Sequence, residues 1–592
     1  MSGSPIDNAY IAQLLNMLAD LMEIAGQPAN RAAAYRRGAR TVARLAEPIA
    51  QVAAQGRLQE LPGIGPTLAA RIKEIIATGT SPMLDELQAQ VPLGVLELLR
   101  IPGLGPRTAH LLFKHLGITD VDGLEAALAA GRVAGLPGIG ARTEERLRQE
   151  VAAYRVRTAR VPLGTALPWA QELAHQLAQV PGVERVVPAG SIRRGRALVG
   201  NIDLVVAAGA TVEPGQLAAA VPGISLAEPD DGQAPGGQLL RGVFQPGPMV
   251  KIPLHLHRCD PGRFPAVLHY ATGARAHREE LADLAREQGL RLERDGLFRD
   301  EGGEKPLTWP EEESLYRHLG LPPVPPEVRE GEGEVAAAAA GTLPRLVTRD
   351  DYRGDLHAHS LWSDGRQSIE AMVEAALARG YGYLAITDHS PSLTVARGLD
   401  PRRLAQQAAE IRAVRERFPQ LLLLHGIEVD ILADGSLDLP DDVLAGLDIV
   451  IASVHSHFQQ DTATMTARIA RAMANPHVDI IGHPTGRLLG QRDPYQVDME
   501  ELLAAAAETR TVLEINASPH RLDLPAPWAR RAKEMGILLS VNTDAHSGDG
   551  LDMLSYGLLT ARRAWLEAGD IINTMAPRAL ADWLALPKQE RW

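Results

Sequence analysis

The stretch DLHAHSLWSDG, residues 355–365, decides how the C-terminal half of this chain is read. His357 and His359 stand two apart, and Asp364 follows five residues later. In an extended strand residues i and i+2 point to one face. Two imidazoles at a strand's end can therefore hold one metal ion, with a carboxylate from the next loop nearby. Six later apolar runs close on groups of the same kind. YLAITDH ends at Asp388 and His389, LLLLHGIEVD carries Glu428, and LDIVIASVHSH carries His455 and His457. VDIIGHP closes on His483, TVLEINA on Asn516, and ILLSVNTDAH on Asp544 and His546. Helix-like stretches such as 369–379 and 401–418 lie between most of them. Alternating strand and helix patterns predict a parallel α/β sheet. Seven strands with such groups at one end predict a closed barrel with its site at the C-terminal mouth.

A lone histidine of this sort is more often a surface or capping residue. Histidines and carboxylates at the same end of most strands need another explanation. Imidazole and carboxylate donors without cysteine suit Zn²⁺, Mn²⁺ or Fe²⁺. The candidates His357, His359, Asp364, His389, Glu428, His455, His483, Asp544 and His546 are too many for one ion. Two or three clustered ions are expected, with Glu428 or Asp544 bridging. Such clusters generate hydroxide near neutral pH and stabilise a phosphoester transition state, so the chemistry expected is phosphoester hydrolysis.

The motifs HAHSxxSDG, TDHS, a glutamate after the third strand, SVHSH, GHP and NTDAH resemble the PHP (polymerase and histidinol phosphatase) domain. That resemblance implies a distorted seven-stranded barrel with up to three metal ions that hydrolyses phosphoesters. Asp364 stands where some members carry histidine. By the family's pattern His357, His359, Glu428 and Asp544 share one ion as the metal-hydroxide centre. Glu428, His455 and His483 hold a second, and Asp364, His389 and His546 a third. His457 and His520 fall outside the set, with surface or supporting roles expected.

Outward from the barrel, the 592-residue length predicts several domains, since single cores seldom exceed about 250–300 residues. No apolar run approaches the ~20 residues of a membrane span. No basic, apolar leader opens the chain, and the single cysteine, Cys259, excludes an internal disulfide framework. A cytoplasmic location is expected. The net charge of −13 would by itself argue against nucleic acid, but charge is local. The run NRAAAYRRGARTVARL places Arg31, Arg36, Arg37, Arg40 and Arg44 within about four helical turns. Either a solvated basic face or a DNA-facing one fits it.

Three copies of one motif follow: LPGIGPTLAARI at 61–72, IPGLGPRTAHLL at 101–112 and LPGIGARTEERL at 136–147. Each pair of glycines (Gly63 and Gly65, Gly103 and Gly105, Gly138 and Gly140) permits a tight turn before an amphipathic helix. The backbone N–H groups then face a phosphate at the helix N-terminus. The repeat resembles the helix-hairpin-helix motif, which grips DNA backbone without reading sequence. No Gly-Lys-Ser/Thr follows, so these are not Walker loops.

Residues 189–206, AGSIRRGRALVGNIDLVV, together with these repeats, resemble family X DNA polymerases; YATGARAH at 270–277 and GLPPVPPEVREGEGE at 320–334 resemble that family's thumb and tail. A family X polymerase followed by a PHP domain is the bacterial arrangement. Family members hold two Mg²⁺ ions on three aspartates. Here the first is Asn201, Asp203 is kept, and the third falls on Pro253 or, with a different gap, His255. Bringing two dications within about 4 Å takes anionic oxygen ligands. Little or no templated polymerase activity is expected, and no Mg²⁺ pair at the palm. Ser191 and Arg194, which in the family contact the triphosphate, remain, so residual nucleotide binding with Asp203 is expected. A shifted ligand set using His255 or His257 is the alternative. The lysine that forms a Schiff base in many members is replaced by Arg71, which stays protonated. Lys73 lies about 200° further around the helix. Lyase activity is not expected, whereas Arg71 and Lys73 fit a 5′-phosphate.

The expected organisation is multidomain. An α-helical DNA-binding domain with the first helix-hairpin-helix covers 1–92, and a fingers-like helix-hairpin-helix domain covers 93–155. An α+β polymerase-beta-like palm covers 156–270, a thumb-like domain 271–333, a linker 334–350, and a distorted (βα)7 PHP barrel 351–592. The function expected is DNA repair. The front modules would bind gapped, nicked or 3′-recessed duplex without sequence preference, and the barrel would hydrolyse 3′ ends as a 3′-5′ exonuclease or end-processing enzyme. Mn²⁺ is the activator that the resemblance favours, with Zn²⁺ or Fe²⁺ as alternatives, and a monomer is assumed. The rival readings are an active gap-filling polymerase, a small-molecule phosphatase and a non-catalytic DNA-binding scaffold.

Overall fold

The computed structural model describes residues 8–43, 45, 47–158, 160–227, 237–247, 250–300, 306–307 and 309–592. The chain forms two compact units, one of residues up to Ala159 with Gly247–Val250, the other of the remainder from Arg160. Among the described residues no helix is long and apolar enough to cross a membrane.

The first unit is helical around one apolar cluster running from Ile11 to Tyr154. The three repeated motifs adopt the same turn, with Gly63, Gly103 and Gly138 at φ 79°, 78° and 79°. That left-handed backbone is open to glycine at no steric cost. Gly65 and Gly105 are the N-caps of helices Pro66–Thr78 and Pro106–Leu116, each with proline in its first turn. Gly140 precedes helix Ala141–Thr158, which runs through the 155/156 domain boundary expected from the sequence.

The second unit opens with a five-stranded palm sheet in the order Val183–Pro188, Ile202–Ala208, Val250–Cys259, Gly237–Gly247, Ile224–Leu226. The parallel pairing of Ile202–Ala208 with Val250–Cys259 sets Asp203 opposite His255. A thumb follows, built on Leu281, Leu315, Tyr316 and Val328. The stretch expected to be a linker is instead packed. Helix Glu334–Ala339 puts Val335 and Ala338 into the thumb's apolar cluster. Glu334, fully buried, lies 2.6 Å from Nδ1 of the equally buried His277. A buried charge needs such a partner, and this one lies 57 residues away.

The rest is a nearly closed barrel of seven parallel strands: Gly354–Asp355, Tyr383–Ile386, Leu422–Asp430, Ile449–Ser453, Ile480–Ile481, Val512–Asn516 and Leu539–Asn542. Each pairs with the next in sequence. A bridge between Ala358 and Ala545 joins first to last, with the His359 N–H donating to the Ala545 carbonyl at 2.8 Å. Nearly every strand residue is buried, as expected when helices cover the outside.

Candidate metal centre

All nine expected side chains stand at the C-terminal mouth of this barrel, supplied by loops or strand ends at six of its seven strands. Glu428, on the third strand and wholly buried, is their hub. One of its oxygens lies 3.5 Å from His357 Nε2, 3.7 Å from His359 Nε2 and 2.8 Å from His389 Nδ1. The other lies 3.3 Å from His455 Nε2 and 3.0 Å from His483 Nε2. Asp544 is 2.9 Å from His359 Nε2 and 3.7 Å from His357 Nε2. Asp364, the most exposed of the carboxylates, is 3.3 Å from His546 and 3.6 Å from His389.

Three groups have donor atoms all within 4.8 Å of one another: His359 with Asp364, His389 and His546; His357 with His359 and Asp544; His389 with Glu428 and His455. Three overlapping groups are consistent with several ions. They divide the ligands differently from the family pattern, with His389 beside Glu428 where His483 was expected. His457 is exposed and belongs to none of them.

Buried polar atoms support the same reading. His357 Nε2, His359 Nδ1, His389 Nδ1 and Glu428 Oε2 are buried without a hydrogen-bond partner. His389 Nδ1 and Glu428 Oε2 lie 2.8 Å apart without forming a hydrogen bond. Leaving such groups unsatisfied costs about 1–3 kcal/mol each, and divalent cations would satisfy them together. The backbone is strained here as well, with His483 at φ 31° and Asp544 at φ 54°. Non-glycine residues in that region persist when the surroundings over-determine them, commonly at functional sites.

Charge explains how the carboxylates stay ionised. Burial pushes Glu428 up, but the charges of His389, His455 and His357 outweigh it and hold the carboxyl well below its usual range. Asp544 is likewise raised by burial and lowered further by His357 and His359. Burial works against the charged imidazoles, yet Glu428 and Asp430 push His455 up to about 9. Asp364 and Asp544 do the same for His546, also to about 9.

Three charged groups beside the expected ligands were not singled out in the sequence. Glu514 lies inside the run TVLEINA and is fully buried, its Oε1 2.7 Å from His357 Nδ1. Its Oε2 accepts from the His483 N–H at 2.8 Å. Asp430, two residues past Glu428, lies 2.9 Å from His455 Nδ1. Carboxylates behind ligating histidines fix ring orientation and tautomer. The third is Arg521, whose Nη1 is buried without a hydrogen-bond partner and whose charge, after burial, helps to lower His483. A charged residue inside a strand pattern was the available signal for the first two.

The palm is arranged otherwise. Asp203 Oδ1 lies 3.1 Å from His255 Nδ1 and 3.2 Å from His257 Nε2. His255 Nδ1 is also 3.1 Å from Asn201 Nδ2. These groups are not among those whose donors all lie within 4.8 Å. Arg194 is buried, its Nε donating to Glu330 at 3.0 Å and its Nη1 to the Thr272 carbonyl at 2.7 Å. Ser191 Oγ is buried without a partner.

In the helical unit the space before Gly65, Gly105, Gly138 and Gly140 is open, with no atom where a Cβ would meet one, and Gly63 and Gly103 face Arg37 and Arg146. Lys73 is exposed, but Arg71 is half-buried, donating to Glu74 and, at 3.0 Å, to Ser81. Arg31, Arg37 and Arg40 are exposed, whereas Arg36 pairs with Asp20 and Glu23 at 2.7 Å each. Arg44 lies outside the described residues.

Fold and site define a barrel phosphoesterase with a multi-ligand metal centre, joined to helix-hairpin-helix and polymerase-type modules. Family models match four segments: a helix-hairpin-helix domain residues 6–81, a SAM-like helix-hairpin-helix tandem 95–153, a DNA polymerase beta thumb 267–330 and a PHP domain 355–518. A Bacillus subtilis (strain 168) protein named "DNA polymerase/3'-5' exonuclease PolX" is 38% identical over 579 residues, covering 98% of this chain and 99% of its own. A probable phosphatase of Thermoanaerobacter sp. (strain X514) is 31% identical over 231 residues, 37% of this chain and 89% of its own. The chain belongs to the bacterial family X DNA polymerase/3′-5′ exonuclease family with a C-terminal PHP domain.

Proposed function

We propose that this enzyme hydrolyses the terminal phosphodiester at DNA 3′ ends in the barrel mouth, and that its palm does not carry templated synthesis. The observation that carries the first half is the convergence of five histidines on the buried Glu428. Divalent ions bound there would supply hydroxide near neutral pH and neutralise charge that develops on phosphorus. His357, His359, Glu428 and Asp544 would hold the hydroxide-generating centre, with Asp364, His389, His455, His483 and His546 completing the set. Glu514 and Asp430 would hold His357 and His455 in ligating orientation. Arg521 would take a non-bridging phosphate oxygen through its unpartnered Nη1. Mn²⁺ is the ion proposed, with Zn²⁺ and Fe²⁺ as alternatives. DNA would be held through the three hairpin turns, whose N-terminal N–H groups suit phosphates. Lys73 would assist, and Arg71 less, because Glu74 already neutralises it.

The test is release of mononucleotides from an end-labelled gapped duplex with Mn²⁺, compared with turnover of small phosphomonoesters. Preference for the monoester would favour the phosphatase reading, which the barrel-only likeness to the Thermoanaerobacter protein keeps open.

For the palm, Asn201 and either Pro253 or His255, the latter set opposite Asp203 by strand register, would stand where family members hold magnesium with carboxylates. Burial pushes Asp203 up, but hydrogen bonds from both histidines outweigh it and hold the carboxyl well below its usual range. It is thereby committed to partners inside the protein.

Two further outcomes are expected. Glu514→Gln leaves the shape of the mouth but weakens the acceptor behind His357, so Mn²⁺ affinity should fall roughly 10–100-fold. Competition with a fluorescent chelator measures it, and unchanged affinity would remove Glu514 from the account. The second concerns pH. With His455 and His546 raised to about 9, both carry protons at neutral pH in the metal-free protein. Ligation takes neutral imidazole, so metal binding releases those protons. Affinity should therefore rise from pH 6 to pH 9, by about tenfold per pH unit for each proton released. A pH-independent affinity would contradict this.

A further inference from the structure

The palm's apolar cluster is not made by the palm alone. Leu489 and Leu522, from two loops of the barrel mouth, belong to it alongside Leu163, Ala166 and Leu254. Leu522 is completely buried and sits at φ 45°, between Arg521 and Asp523. A leucine keeps such backbone when its surroundings over-determine it, and here the surroundings include the palm. The two loops are tied to each other as well. The Leu489 N–H donates to the His520 carbonyl at 2.7 Å, and Arg487 donates to the carbonyls of Arg521, at 2.9 Å, and Leu522. From the palm side, helix Leu163–Leu177 meets the same loop at Gly164. A Cβ at Gly164 would stand 2.2 Å from Pro519 Cβ, closer than real contacts allow.

We infer that the palm positions the hydrolytic mouth: the start of helix Leu163–Leu177 is the wall against which residues 517–523 are set, and through them Arg521 is aimed at the phosphate of the DNA 3′ end. Arg521 is the group that touches substrate. Gly164, Pro519, Leu489 and Leu522 are positioning residues. A palm without its magnesium carboxylates thus keeps a task, because removing it would uncover Leu489 and Leu522 and free the two loops that carry them. The inference rests on the hydrolytic reading above.

The test uses the full chain loaded with Mn²⁺ and two probes, an end-labelled gapped duplex and bis(p-nitrophenyl) phosphate. Gly164→Ala adds one methyl group against Pro519 and improves helix propensity, so the fold should survive. KM should rise about fivefold or more for both probes with kcat within about twofold, the signature of lost binding. Mn²⁺ affinity should be unchanged. Pro519→Gly removes the clashing atoms, so the double variant Gly164→Ala/Pro519→Gly should return to within about twofold of the parent. In an Arg521→Ala background Gly164→Ala should add nothing further, because both act on one interaction. A Gly164→Ala enzyme with parental KM, a defect that Pro519→Gly does not relieve, or one that adds to Arg521→Ala would each overturn the inference. A parent protein that turns over neither probe would instead overturn the hydrolytic reading, and the inference with it.

Discussion

Replacing Glu428 by alanine is expected to lower 3′-end hydrolysis by about a thousandfold or more, the largest loss from any single change in this protein. Its two oxygens reach five imidazoles, at 2.8–3.7 Å, from four different strand ends. Removing it takes away the negative charge that makes the mouth attractive to dications and leaves the surrounding rings to repel one another when protonated. Glu428→Gln keeps the volume and loses the charge, so it should lose metal almost as completely while remaining folded. That pair of variants separates ligation from packing. Hydrolysis within about tenfold of the parent in Glu428→Gln would mean that the glutamate is structural.

The second large effect concerns the palm. With hydrolysis silenced by Glu428→Gln, primer extension across a single-nucleotide gap should stay at background in Mg²⁺, and Asp203→Ala should leave it there. His255 Nδ1 lies 3.1 Å from both Asn201 Nδ2 and Asp203 Oδ1. A carboxylate at position 255 would therefore face the one that Asn201→Asp restores. Asn201→Asp/His255→Asp should raise extension by at least about tenfold, since it returns the anionic oxygens that two dications need. Robust extension by the unmodified palm, lost in Asp203→Ala, would show instead that the histidines serve as ligands.

The barrel and the nine mouth residues were legible because strand-end polar groups interrupt apolar runs at a regular place. A parallel barrel turns that linear regularity into one mouth. Grouping was less legible, because sharing depends on which rings face Glu428 across the barrel, and His389 comes closest. Glu514 and Asp430 escaped notice because each lies inside a strand, where period-two alternation only later shows it standing behind a histidine. The basic face was legible in composition but not in availability. Arg36 and Arg71 are each neutralised by an acid, Arg36 by Asp20 and Glu23 from a neighbouring helix and Arg71 by Glu74 one turn along its own. The supposed linker failed for a similar reason. Acidic and small residues suggest solvent, yet Glu334 is buried against His277 and Tyr316 anchors the other side of that ring at 2.9 Å. In the palm, strand register alone placed His255 opposite Asp203. No pattern in the sequence shows that Leu489 and Leu522 complete the palm's own cluster.

Anomalous scattering from crystals of the intact protein grown with Mn²⁺ would locate every bound ion in one experiment. Two or three peaks among His357, His389, Glu428, His483 and Asp544, with none beside Asp203, are what a hydrolytic barrel carried by a metal-free palm requires. A peak shared by Asp203, His255 and His257 with no ion at the barrel mouth would place the chemistry in the palm and contradict the account.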